Sequence, residues 1–218
     1  MKKESGFTLV ELSIVIVIIG LIVAGIFAGQ DLIKQARVKS VIDESNKYKM
    51  AWNTFKLKYN AFPGDMDNAS SYWGAATNGN GDRYVAVATE SYYAWHHLAL
   101  SNMINGVYTG APDSNNCTFG VNCPGSARGA GGYVYWGDST NGNRLRYAKP
   151  TSNSGLTTAT INPQDAKSID DKLDDGVPDA GNVLSATGAA ATGTCLTGSV
   201  YTLTNEADAC YIDFVATK

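Results

Sequence analysis

Residues 12–28, Leu-Ser-Ile-Val-Ile-Val-Ile-Ile-Gly-Leu-Ile-Val-Ala-Gly-Ile-Phe-Ala, carry no charge. With Phe7 to Val10 before them they form an apolar block of about the ~20 residues that cross a bilayer as one helix. Lys2 and Lys3 precede the block and favour a cytoplasmic N-terminus. A single charge interrupts it, Glu11. A carboxylate in such a segment costs about 2.5 kcal/mol or more at the membrane centre and less near its edge, so it calls for a partner.

Three readings compete for this block. A cleaved secretory signal peptide has a shorter apolar region ending in an A-x-A-like site. Here the residues two before Ala24 and Ala28 are Ile22 and Ile26, too bulky for a good site. An ordinary signal anchor explains the length of the block and leaves Glu11 unexplained.

The third reading accounts for every residue. The stretch Gly6-Phe7-Thr8-Leu9-Val10-Glu11 resembles the processing motif of type IV prepilins and type II secretion pseudopilins. The resemblance implies that a membrane aspartyl peptidase cuts between Gly6 and Phe7 and that Phe7 is then N-methylated. Met1 to Gly6 would be a short basic leader. Gly6 offers no side chain to obstruct a protease at the membrane surface. Cleavage leaves a positive amine on Phe7, and in a filament Glu11 of one subunit pairs with the amine of its neighbour. That pairing satisfies a charge otherwise stranded among apolar helices. Gly20 also matches a glycine common in these helices. Ala28 is a departure, because many pilins carry a kinking proline there. Gly25 and Gly29 could supply flexibility instead.

The apolar block runs on without a linker. Residues 30–60 contain neither Gly nor Pro and are rich in helix formers. Val41, Ser45, Tyr48, Trp52, Phe55 and Tyr59 recur at alternating steps of four and three, which aligns them on one helix face. Lys39, Glu44, Lys47, Lys49, Asn53 and Lys58 fall mostly elsewhere. Pro63 and Gly64 stop the pattern. One helix is expected from about Phe7 to Asn60, roughly 80 Å long at 1.5 Å per residue. The alternative is two helices with a break near Gly29 and Gln30. The implied organisation is a leader (1–6), a transmembrane or filament-core helix (7–29), its amphipathic continuation (30–60) and an extracytoplasmic head (61–218).

From Ala61 the texture changes to Gly, Asn, Ser and Thr with scattered aromatics. Only 17% of the chain is charged while it holds 23 glycines, which suits an extracytoplasmic domain with turn-rich connections. The formal charge is −3, and no Lys/Arg run interleaved with aromatics advertises nucleic-acid binding. Phe62-Pro63-Gly64-Asp65 and Asn78-Gly79-Asn80-Gly81-Asp82 are turn chemistry. Helices are expected around Glu90 to Ile104 and from Pro163 to Leu173, the latter capped by Asn162. Strand candidates are Gly132 to Trp136, Arg144 to Ala148, Val200 to Thr204 and Tyr211 to Val215. The expected fold is α+β and pilin-like: a long N-terminal helix packed on a small antiparallel sheet. The head is also similar to a group of pilin-like proteins that carry FPGD after the first helix, an N-G-N-G-D loop and an I-D-x-K-x-D-D-G-x-P segment, here Ile169 to Pro178.

The four cysteines fall into two local pairs, and in an exported chain they read as disulfides. Chain proximity favours Cys117–Cys123 and Cys195–Cys210, although four cysteines allow three connectivities. Buried free thiols are the alternative. Zinc is disfavoured, since neither pair has C-x-x-C spacing and His96 and His97 are adjacent. Asp170, Asp171, Asp174 and Asp175 raise calcium as a cofactor, because oxygen ligands at close spacing suit a hard cation and pseudopilin heads can hold calcium in a C-terminal loop. No EF-hand register fits them, and the reading set against calcium is a solvated helix end. The Asn78 to Asp82 loop also misses the register, with Arg83 where glycine is needed and Thr89 where glutamate is needed. No G-x-S-x-G, no Cys-His nucleophile pair and no phosphate-cradling loop is present, so no catalytic residues are assigned.

The resemblance therefore implies a structural filament subunit and not an enzyme. Its partners would be a prepilin peptidase, the inner-membrane assembly platform, membrane lipid before assembly, and copies of itself or other pilins afterwards. It would sit in the bacterial inner membrane with its head in the periplasm before entering a pilus or pseudopilus. Two alternatives stand beside this: a minor or tip subunit that primes assembly or binds a target, and a signal-anchored periplasmic binding protein.

Overall fold

The computed structural model describes residues 8–87, 89–111, 117–129, 131–149 and 157–217. The fold is α+β and pilin-like, with a long N-terminal helix, an antiparallel sheet and two disulfides.

The first helix, α1 (Leu9–Tyr59), starts on a capping box. The N–H and hydroxyl of Thr8 each donate to Glu11 Oε2 at 2.8 Å, and the Glu11 N–H donates to Thr8 Oγ1 at 3.3 Å. The helix runs through Gly20, Gly25 and Gly29 without a break, so the two-helix alternative is corrected. It ends where Asn60 adopts a left-handed φ of 52° and its N–H closes on the Lys56 carbonyl at 2.9 Å. Asparagine tolerates that conformation better than most residues, and Pro63 follows.

By compactness the chain divides into Met1–Arg37 and Val38–Lys218. In the first unit the apolar side chains from Leu9 to Ile33 are exposed. In the second, α1 is part of the core from Val38 onward, later than the expected boundary at residue 30, because residues 30–37 present no buried side chain. Val38, Val41, Ser45, Tyr48, Ala51, Trp52 and Phe55 are buried.

That stripe meets the sheet formed by β1 (Gly132–Asp138), β2 (Gly142–Ala148), β3 (Val183–Thr187) and β6 (Cys210–Thr217). The order is β1-β2-β6-β3 and every pairing is antiparallel. Trp52 lies 4.4 Å from Tyr135 and 5.3 Å from Phe62, ring centre to ring centre, and Tyr48 lies 5.0 Å from Trp95. Tyr135 carries its hydroxyl through this core to donate to the Tyr48 carbonyl at 2.7 Å. On β2 and β6, Arg146 grips Asp213 with two bonds of 2.6 and 2.7 Å.

The short α2 (Ala69–Tyr72) follows the first turn, and α3 (Glu90–Leu100) places Trp95 and His97 against α1. α3 stops at Leu100 instead of Ile104, its final carbonyls taken by the N–H groups of Ser101 and Asn102. α4 (Pro163–Leu173) has the expected bounds, with the Asn162 side chain accepting from Asp165 N–H at 2.7 Å. β3 was not expected. Val200 to Thr204 was expected as one strand, yet only β5 (Val200–Tyr201) forms, in a separate hairpin with β4 (Leu196–Thr197). The turn at Thr202 to Asn205, where Asn205 N–H donates to the Thr202 carbonyl at 3.0 Å, ends it. Cys117 pairs with Cys123 and Cys195 with Cys210.

Candidate functional site

Three places carry the residues singled out from the sequence. At the N-terminus, Gly6 and Phe7 lie outside the described residues. Glu11 lies within them, exposed in the first turn of α1. Both Thr8 bonds end on its Oε2, so its Oε1 accepts nothing among the described residues. The carboxylate therefore closes its own helix start and still presents an oxygen outward. The helix behind it is, by length and composition, one that can cross a membrane.

The second place is the end of α4. One carboxylate oxygen each from Asp170, Asp174 and Asp175 lies within 4.8 Å of the others, whereas Asp171 turns away to pair with Lys167 at 2.6 Å. Asp170 is fully buried. Its oxygens accept from the Tyr201 hydroxyl at 2.8 Å and from Gly176 N–H at 3.2 Å. Asp174 accepts from the N–H groups of Asn182 and Val183, and Asp175 from Val177 N–H at 2.9 Å. Burial pushes the Asp170 carboxyl up from its ordinary range, with the Tyr201 and Gly176 bonds opposing. These bonds tie the Gly176–Pro178 turn to β3 and to Tyr201.

The third place was not singled out as a site. The FPGD turn and the N-G-N-G-D loop lie side by side: Gly79 N–H donates to the Met66 carbonyl at 2.8 Å and Gly81 N–H to the Asp65 carbonyl at 2.9 Å. Gly64 has a φ of 92°, and a Cβ there would run into the Glu90 carbonyl and Ala94. Glycine is thus what lets this turn settle against the start of α3. Asp65, Asp82 and Glu90 converge, one oxygen of each within 4.8 Å of the others. Asp65 and Glu90 are buried and Asp82 is exposed. The Asp65 carboxyl is pushed up to about 6, first by burial and then by the nearby charges of Glu90 and Asp82, against the Arg83 N–H bond. Nearby, the buried His97 receives Gly64 N–H on Nδ1 at 3.0 Å and faces the Thr77 carbonyl with Nε2 at 2.8 Å. Burial lowers its pKa to about 4.

One further residue was misplaced by the sequence pattern. Glu44 was set among the polar positions, yet it accepts from Tyr133 hydroxyl at 2.8 Å, Ser126 hydroxyl at 2.7 Å and Ala127 N–H at 2.8 Å. Its spacing from Val41 (three) and Tyr48 (four) is the signal that puts it at the edge of the buried stripe.

Residues 1–27 match the family described as the prokaryotic N-terminal methylation motif, the prepilin-type motif of type IV pilins and pseudopilins. No curated protein and no solved structure matches the chain. The motif points to a structural protein rather than an enzyme, and with the apolar helix it fits anchoring in a membrane.

Proposed function

We propose that this chain, whose first 27 residues carry the prepilin-type methylation motif, is a structural subunit of a type IV pilus or of the related type II secretion pseudopilus. The observation that carries the reading is α1 itself: one helix whose first part is apolar and exposed and whose second part is built into a disulfide-stapled domain. An all-round apolar helix is stable in lipid or against other apolar helices, and not in water.

On this reading a prepilin peptidase removes Met1 to Gly6 and methylates Phe7. The precursor waits in the inner membrane with its head in the periplasm. An assembly platform then lifts it from the bilayer, and the apolar helices exchange lipid for one another. Glu11 offers its free oxygen to the amine of a neighbouring Phe7, which supplies the partner that a carboxylate in an apolar bundle requires. Ala28 in place of the common proline, with α1 unbroken there, favours a minor or tip subunit within this class.

The test is the N-terminal mass of the protein co-expressed with and without a prepilin peptidase. The expected species begins at N-methyl-Phe7 and occurs only with the peptidase. An intact Met1 in both preparations, or a cut near Ala24 or Ala28, would overturn the proposal.

A further inference from the structure

The cluster of Asp65, Asp82 and Glu90 gathers like charges, as the Asp170 cluster does, and adds a buried oxygen without a donor. Its carboxylates come from three separate segments and converge to within 4.8 Å. Among the described residues, none of them forms a salt bridge. Like charges so placed repel, and two of the three are withdrawn from water, where that repulsion is screened least. Hydrogen bonds offset part of the cost. Glu90 takes Asn80 N–H on Oε1 and Ala86 N–H on Oε2, both at 2.8 Å. Asp82 takes Tyr84 N–H at 2.9 Å and the Asn80 side-chain amide at 3.0 Å. Asp65 Oδ2 takes Arg83 N–H at 2.9 Å.

One atom is left out. Asp65 is 4% exposed, and its Oδ1 is buried and accepts no hydrogen bond from the described residues. A buried carboxylate oxygen without a donor costs about as much as a lost charged hydrogen bond, so such atoms are rare and call for an explanation. A cation bound by the three carboxylates would satisfy it and cancel the repulsion together.

We infer that Asp65, Asp82 and Glu90 form a binding site for a hard divalent cation of calcium size. The donors are all oxygen, which selects against zinc and copper. Three carboxylates in one site suit calcium, which takes about six to eight oxygen ligands in flexible geometry, whereas magnesium usually keeps several waters and takes one or two carboxylates. The N-G-N-G-D loop fails as an EF-hand because Thr89 stands where the closing glutamate belongs. The fold supplies the acid differently, with Glu90 from the first turn of α3 and Asp65 from the FPGD turn. The ligand set is thereby assembled in space and not by register. The ion would then pin the loop to both neighbours, tying α3 to the turn that ends α1. This site differs from the Asp170 cluster, in which no buried carboxylate oxygen is left without a hydrogen bond among the described residues.

The test uses the full chain in detergent micelles, stripped with EGTA and titrated with calcium chloride by calorimetry, alongside thermal melts. Affinity on the order of 10⁻⁴–10⁻³ M is expected, the range of extracytoplasmic sites. The melting midpoint should rise by about 5–10 °C at a hundredfold excess of calcium over Kd. Asp82→Asn, on an exposed residue that leaves the fold in place, should weaken binding at least tenfold. Asp175→Asn in the other cluster should leave it unchanged. No calcium effect on the unmodified chain would overturn the inference. So would an unaltered affinity in Asp82→Asn, a loss in Asp175→Asn, or a magnesium effect equal to that of calcium.

Discussion

The two stretches of α1 treat their apolar residues in opposite ways. Between Leu9 and Ile33, aliphatic side chains point in every direction and stay exposed: Ile19 is 54% accessible and Phe27 64%. Between Val38 and Tyr59, charged residues are frequent, yet Trp52 and Phe55 are at 0%. Hydropathy alone would rank their burial the other way round. What differs is pattern. The second stretch concentrates its aromatics on one face, so one surface made of β1 and α3 can cover them. The first has no polar face, so no single surface could cover it. Burial within one chain follows the complementary surface available and not the hydropathy of the segment.

The sharpest way to break this comparison is to truncate each stretch. Trp52→Ala removes a side chain packed on Tyr135 and Phe62 and should cost about 3–5 kcal/mol in denaturant unfolding of the head. A loss below about 1 kcal/mol would mean that the stripe does not hold the head together.

His97 tests the same junction by pH, since its ring lies 6.2 Å from Phe55 and its burial, with Nδ1 accepting Gly64 N–H, favours the neutral form. Its pKa falls from 6.5 unfolded to about 4 folded. The unfolded chain therefore binds the proton first. The stabilisation is complete above pH 6.5 and is lost as pH falls toward 4, by about 3 kcal/mol in all. Asp65, raised to about 6, works in the opposite sense across much of this window. The His97 share is therefore read as the stability difference between the unmodified chain and His97→Gln at each pH, with EGTA present. That difference should shrink on acidification, and a flat difference would refute the assignment.

Tyr135→Phe deletes one buried hydroxyl bond to the Tyr48 carbonyl and should cost about 1–2 kcal/mol. Ile19→Ala should leave the unfolding midpoint of the head unmoved, within about 0.5 kcal/mol. An Ile19→Ala effect on the head as large as that of Tyr135→Phe would erase the distinction between the two stretches.

Much of this architecture was legible because it is local. The absence of Gly and Pro from 30–60 and the four-three aromatic steps announce the second half of α1, and Asn162-Pro163 announces α4 almost to the residue. β3 was not legible: Val-Leu-Ser-Ala-Thr lacks a clean two-residue alternation, and it is a strand because β6 offers an edge. The same holds for the acidic sites. Asp170, Asp174 and Asp175 are neighbours in sequence and drew attention for that reason. Asp65, Asp82 and Glu90 are spread over three segments, and only the packing of two turns against α3 brings them together. Glu44 is a charged residue at the edge of the stripe, and its charge masks that position in the sequence pattern.

The place of β6 has a consequence for how the protein must be made. It lies between β2 and β3, yet it comes last among the described strands. Until it arrives, the β1–β2 hairpin keeps an open edge and β3 has no strand to pair with. Contacts this distant along the chain form slowly, and open edges invite pairing with other chains. The chain therefore waits with an incomplete sheet for the strand that emerges late. A tether at its N-terminus would keep nascent molecules apart during that interval, so anchoring would protect folding as well as prepare assembly.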